Sequence, residues 1–204
     1  MLNKKRDYNI DALKMMLIIL VIYAHIPLLD GFVHNGVVVE CDKYTWALVK
    51  GIYAFHMPLF VLISGYFSKS KTAAEQFLKS INFLKIFVVF HIVDLYINWC
   101  YSGMRPSLHD MIYPSFALWY LLCLFYWRML ISIIPPKWNA KWVLLSSIVF
   151  SISIGFVPIH GEMGFHRFFS FMPYFMIGHY YGKKIIAFVE AKIASITPPY
   201  CYAY

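Results

Sequence analysis

Six stretches of this chain are apolar over about the length of a bilayer crossing: Asp11–Leu29, Tyr44–Phe67, Phe83–Tyr101, Phe116–Ile134, Trp142–Ile159 and Phe168–Phe188. A helix needs about 20 predominantly apolar residues to span the hydrocarbon core. No water reaches that core, so a single continuous run must satisfy its own backbone N–H and C=O groups, which it does as an α-helix. The expected fold is therefore all-α: a polytopic transmembrane helix bundle of about six spans, with the bilayer as solvent. Composition agrees. The chain is 61% hydrophobic and only 14% charged, whereas soluble domains are about half apolar and about a quarter charged.

The loops then orient the bundle. One side carries Lys4, Lys5, Arg6, then Lys69, Lys71 and Lys79, then Lys137 and Lys141, then Lys183, Lys184 and Lys192. The other carries mainly Lys43, Arg105 and Arg167, accompanied by Asp30, Glu40, Asp42, Asp110 and Glu162. The positive-inside rule places both termini in the cytoplasm. The net charge of +8 is thus a topology signal, and nucleic acid is not an expected partner. Met1–Asp7 resembles the basic start of a signal peptide, but no small-residue cleavage site follows and Asp11 and Lys14 interrupt the apolar run, so the first span is expected to stay uncleaved. No repeat, linker or low-complexity tract divides residues 1–204, which read as a single domain. Cys41, Cys100, Cys123 and Cys201 form no C-x-x-C or metal-ligand pattern, and Cys41 and Cys100 are the pair that could meet on the outer side. The tail Ile196–Tyr204 (ITPPYCYAY) matches neither the preceding helix nor a polar terminus and reads as a truncation or frame-shift scar.

His25 is the most pointed site candidate. An imidazole within the apolar run Met15–Ile26 is costly and marks function by default. On a helix it shares a stripe with Asp11 and Lys14, about 16 Å above Lys14. Neutral imidazole can take a proton from a hydroxyl near pH 7, which suits a general base; the competing role is a hydrogen bond to a neighbouring helix. Lys14 can pair with Asp11, receive an anionic phosphate at the cytoplasmic edge, or simply snorkel. The second candidate is Phe55-His56-Met57-Pro58-Leu59-Phe60-Val61-Leu62-Ile63-Ser64-Gly65-Tyr66-Phe67. Pro58 removes a donor and frees a carbonyl one turn earlier, His56 is a second buried imidazole, and Ser64-Gly65 offers a hydroxyl and close backbone approach. A packing kink explains these residues as well as a site does.

These residues resemble a known family. Tyr8-Asn9-Ile10-Asp11-Ala12-Leu13-Lys14, with His25 after ten intervening residues, looks like the basic-x10-His signature of the acyltransferase-3 family of membrane acyltransferases. His56-Met57-Pro58-Leu59-Phe60 with Ser64-Gly65-Tyr66 looks like its F-x-x-SG motif, closest to the branch related to fucose 4-O-acetylase. Leu118-Trp119-Tyr120-Leu121 and Phe171-Met172-Pro173-Tyr174-Phe175-Met176-Ile177-Gly178-His179-Tyr180 resemble its later W-[FY]-L and F-x-P-[FY]-F-x-x-G segments. The resemblance implies transfer of an acyl group, usually acetyl from cytoplasmic acetyl-CoA, to a hydroxyl of a cell-surface glycan or related acceptor. Acetyl-CoA would be a donor substrate, with no permanently bound cofactor, and the protein a multi-pass component of the bacterial plasma membrane. His25 would be the essential histidine, Lys14 the basic position, and Ser64 and Gly65 the S-G pair, with Asp11 and His56 supporting. Lys in place of the more usual Arg at position 14 keeps the charge but loses the planar fork. Family members usually carry more spans than this chain, so a truncated, non-catalytic fragment is a second expectation.

Other polar groups are weaker signals. His91 and Asp94 stand at i, i+3 in the third span and are placed to hydrogen-bond each other. His160, Glu162, His166 and Arg167 cluster in an outer loop that fits no metal template and reads as solvated. Gly178-x-x-x-Gly182 permits close helix packing. A transporter or permeation subunit would also use broken helices and buried histidines, but it calls for matched discontinuous helices in two halves, and the sequence lacks that symmetry.

Overall fold

The computed structural model describes residues 8–30, 43–69, 72–113, 118–157 and 162–196, and all regular structure among them is helical. The helices are α1 (Tyr8–Asp30), α2 (Lys43–Phe67), α3 (Ala73–Ser102), α4 (Leu108–Ile112), α5 (Leu118–Ile133), α6 (Ala140–Ile154) and α7 (Phe165–Ile196), with a 3-10 turn at Glu162–Gly164 before the last. Each of the six apolar segments falls on one of the six long helices. Outside the described residues lie the basic N-terminus, Cys41, Lys71, His160, Cys201 and nearly all of the ITPPYCYAY tail. Among the described residues two helices, Ala47–Phe67 within α2 and Ala73–Ser102, are long and apolar enough to cross a membrane; α5 and α6 are apolar but shorter. The latter stops at Ile154, short of the expected Ile159, because Gly155 weakens the helix and Pro158 disfavours helical backbone before it.

Local chemistry sets the ends. Thr72 caps α3 by accepting from Glu75 N, and Gly103 stops it in the left-handed region at φ 68°. Asn139 accepts from Lys141 N at 3.0 Å to start α6. Ser107 and Asp110 form a reciprocal capping box on α4: Ser107 N donates to the Asp110 carboxylate at 2.9 Å, and Asp110 N to Ser107 Oγ at 3.2 Å.

The chain divides into two compact units, residues 1–61 and 62–204, with the boundary inside α2. In the first, Leu17 of α1 and Val49, Ile52, His56 and Val61 of α2 are buried. Met15, Met16, Ile18, Ile19 and Ile22 of α1 are exposed. In the second, α3 packs chiefly on α5 and α6 on α7, and α5 also meets α7. Its core is aromatic: Trp127 and Phe175 are wholly buried and their rings stack at 5.3 Å, with Trp119 and Phe171 stacked at 5.4 Å. Pro173, inside α7, has no N–H to give to Phe169. Carbonyls beside that position serve neighbouring helices instead: Trp127 Nε1 donates to Phe168 O at 3.0 Å and Ser151 Oγ to Ser170 O at 3.1 Å. Ile86, Val89, Phe90, Val93 and Ile97 leave much of α3 apolar and exposed, a surface suited to lipid or protein rather than water.

Glycines let the last turns of α2 meet α7 backbone to backbone. A Cβ on Gly178 would collide with the Leu62 carbonyl, and one on Gly65 with the Phe175 carbonyl while standing 3.0 Å from His179 N. At Gly182 the nearest obstacle is the Tyr66 ring, 2.8 Å from where a Cβ would sit. A ring edge can rotate away and a helix backbone cannot, so the three positions should differ. Gly65→Ala and Gly178→Ala are each expected to destabilise the protein by about 1–3 kcal/mol or more, and Gly182→Ala by less, read from thermal unfolding in detergent. A second expectation concerns α4. The backbone N–H of Ser107, and then its hydroxyl, hold the Asp110 carboxyl below its ordinary value of 3.8. Because the folded value is the lower one, the cap contributes above pH 3.8 and is lost as pH falls through the folded value. Hydrogen exchange at residues 107–113 should therefore accelerate selectively in acid, and Asp110→Ala should remove that pH step.

Candidate functional site

Helix α1 runs unbroken from Tyr8 to Asp30, so Asp11, Lys14 and His25 lie on one helix at the expected spacing. Lys14 Nζ stands 3.8 Å from an Asp11 carboxylate oxygen, with both side chains about a third exposed. The ion pair foreseen for these residues is therefore formed, on a face that solvent reaches. The side chain of His25 lies outside the described ones.

His56 is wholly buried on α2. Its Nδ1 bonds the carbonyl of Ile52, one turn earlier, at 2.7 Å, and the Tyr53 ring meets it edge-on at 5.0 Å. With the proton on Nδ1, a neutral ring keeps Nε2 as its basic nitrogen. Helix α2 continues through Pro58 to Phe67.

Ser64 and Gly65 are brought into a polar cluster with α5 and α7. The Ser64 hydroxyl hydrogen-bonds the Tyr120 hydroxyl. Ser68 Oγ donates to Ser64 O at 2.8 Å, and Ser68 N to Gly65 O at 2.9 Å. His179 Nδ1 in turn donates to Ser68 O at 2.9 Å. Gly65 is thus primarily the contact through which α2 reaches α7, and Ser64 links that contact to α5. Trp119, beside Tyr120, is buried under the Arg167 guanidinium, which lies 4.9 Å from its ring centre.

Three of these groups had no assigned role in the sequence. Tyr120 and His179 stand inside quoted motifs, but a motif does not say which helix its hydroxyl or imidazole will meet. Ser68 sits just past the apolar run. Arg128 carries a signal of its own, a guanidinium inside the apolar run Leu118–Ile133.

The expected His91–Asp94 bond is not made. His91 Nε2 bonds Met111 O at 3.1 Å and its ring stacks on Phe87, while Asp94 accepts from Asn98 Nδ2 at 3.2 Å. Position i+3 shares the helix face, but an unused backbone carbonyl from the following segment is the better partner. That same end of α3 and α4 frame a cavity of about 340 Å³ lined by Asp94, Asn98, Trp99, Arg105, His109 and Asp110.

Comparison with known proteins places this geometry in context. Residues 7–191 match the acyltransferase domain family, a span that includes Asp11, Lys14, His25, His56, Ser64, Gly65, Tyr120 and His179. Nodulation protein NolL of Sinorhizobium fredii is 26% identical over 200 residues, covering 88% of this chain and 50% of that protein. Nodulation protein NolL of Mesorhizobium japonicum is 38% identical over 77 residues, covering 37% of this chain and 19% of that protein. The chain thus spans at most about half the length of these curated relatives. No solved structure matches it. With its motifs in order and the match running over nearly the whole length, the chain belongs to the acyltransferase family to which its basic-x10-His and S-G motifs pointed.

Proposed function

We propose that this chain serves a membrane-bound O-acyltransferase, which moves acetyl from cytoplasmic acetyl-CoA to a hydroxyl of a cell-surface glycan or related acceptor. The observation that carries the reading is the family match over residues 7–191, together with the unbroken helix that bears both Lys14 and His25. The bundle would cross a bacterial plasma membrane about six times with both termini in the cytoplasm, as the lysine distribution requires.

In this reading the donor approaches the basic side, where Lys14, Lys69, Lys71 and Lys79 attract its phosphates. Neutral His25 takes the proton of the acceptor hydroxyl as that oxygen attacks the thioester carbonyl carbon. The tetrahedral intermediate collapses with cleavage of the C–S bond. The CoA thiolate leaves and is protonated, and the acetyl ester remains on the acceptor. Transfer is direct, since no activated Ser or Cys nucleophile is apparent among the described residues: Cys123 is buried and its thiol faces the Gly164 carbonyl at 3.5 Å. Ser64 and Gly65 act as support, fixing α2 against α5 and α7. On the other side of the bilayer, the cavity at the end of α3 offers carboxylates, an amide and Trp99, a mixture that suits hydroxyl-bearing rings and supports a saccharide acceptor.

The test is acetyl-CoA binding and transfer by protein purified in detergent. Wild type should bind saturably, and Lys14→Ala should bind about tenfold more weakly, the loss of one charge-assisted phosphate contact. His25→Ala should keep binding but lose about 10²- to 10⁴-fold in transfer. A well-folded wild type that binds no acetyl-CoA would sink the reading.

A further inference from the structure

Among the described residues, three buried polar atoms of the paired helices α3 and α5 have no hydrogen-bond partner: His91 Nδ1, whose ring is already held through Nε2, the Ser80 hydroxyl and Arg128 Nε. The last two are unusual for their surroundings. A serine in an apolar helix normally bonds a carbonyl one turn back, as Ser68, Ser102, Ser132, Ser146 and Ser147 all do here. Ser80 makes no such bond although it is wholly buried. Arg128 is a cation within an apolar helix, where such groups pair with an anion or a carbonyl. Among the described residues no carboxylate pairs with it. A merely snorkelling arginine extends its head group to water, whereas here Nε is closed off from solvent.

The two groups belong to one stretch of the α3–α5 seam. Phe83 follows Ser80 by three residues, on the same face of α3, and the Arg128 guanidinium lies over the Phe83 ring, 4.8 Å from its centre. A buried hydroxyl and a guanidinium Nε without an acceptor, set along one seam beside a ring and paired with no described carboxylate, call for an anion with several oxygens. We propose that Ser80 and Arg128 form a phosphate subsite. The guanidinium supplies charge and a fork of donors, and the serine adds one further hydrogen bond.

That phosphate has two candidate sources, the acyl-CoA donor or a phospholipid headgroup; only the first rests on the function proposed above. The experiment compares wild type with Arg128→Gln, Arg128→Lys and Ser80→Ala in two arms. Acetyl-CoA affinity is measured in phospholipid-free detergent, and the thermal stabilisation given by phosphatidylglycerol is measured in the same detergent. If the donor fills the subsite, Arg128→Gln should weaken acetyl-CoA by about 10- to 100-fold, Arg128→Lys by less, and Ser80→Ala by severalfold. If a lipid fills it, acetyl-CoA affinity should hold while the gain from phosphatidylglycerol disappears in Arg128→Gln and shrinks in Ser80→Ala. The subsite is refuted if variants with the wild-type elution profile respond to both ligands as wild type does. Should Arg128→Gln fail to fold, Arg128→Lys and Ser80→Ala decide the matter by the same readings. A wild type that binds no acetyl-CoA, yet loses its lipid response with Arg128, would refute the proposed function and leave the phosphate subsite standing.

Discussion

The close approach of α2 and α7 is the constraint on which the polar cluster depends. Two helices separated by ordinary side chains lie about 8–10 Å apart, whereas here backbone meets backbone, and His179 bonds the Ser68 carbonyl beside that contact. Gly65 and Gly178 remove that separation from both sides, each lying against a carbonyl of the other helix. Close van der Waals contact of this kind at small residues also holds helices together where the surroundings are themselves apolar and burial adds little. The Ser64–Tyr120 bond then ties the pair to α5, and the stacked rings of Trp127 and Phe175 join α5 to α7.

A second regularity concerns how buried polar side chains are satisfied. His56 turns to Ile52 O, His91 to Met111 O, His179 to Ser68 O and Trp127 to Phe168 O. In each case the partner is a backbone carbonyl. A carbonyl has two lone pairs and the helix uses one, so backbone offers a second acceptor wherever a donor can reach it. His56 and His179 both place the proton on Nδ1 by this means, which fixes the tautomer without any carboxylate.

Much of the architecture was legible in the sequence because the length of an apolar run reports a helix directly, and each of the six runs carries a long helix. The ion pair of Asp11 and Lys14 was legible too, since i, i+3 spacing determines proximity on a single helix. The partners of His91 and Asp94 were not. Spacing says which residues share a face, but not whether another segment will offer a carbonyl nearby. Tyr120 and His179 illustrate the same limit, as their bonds connect residues 56 and 111 positions apart. Ser80 was silent for a different reason: a serine looks ordinary in a sequence, and only its missing bond makes it conspicuous.

Helix α3 is longer than a membrane is thick. Its 30 residues extend about 45 Å, half as long again as the hydrocarbon core of about 30 Å. In the proposed topology, with Phe83–Tyr101 in the hydrocarbon, the turns from Ala73 to Asn82 would extend about 15 Å past it, with Gln76 and Ser80 buried and the Phe77 ring against Phe125 of α5. Thr72 caps that end and α5 packs beside it, so it is a braced helix rather than a frayed loop. A water-soluble molecule arriving there would meet a helix end held by its neighbour, and any force it applied would be carried along the axis to the far end at Gly103.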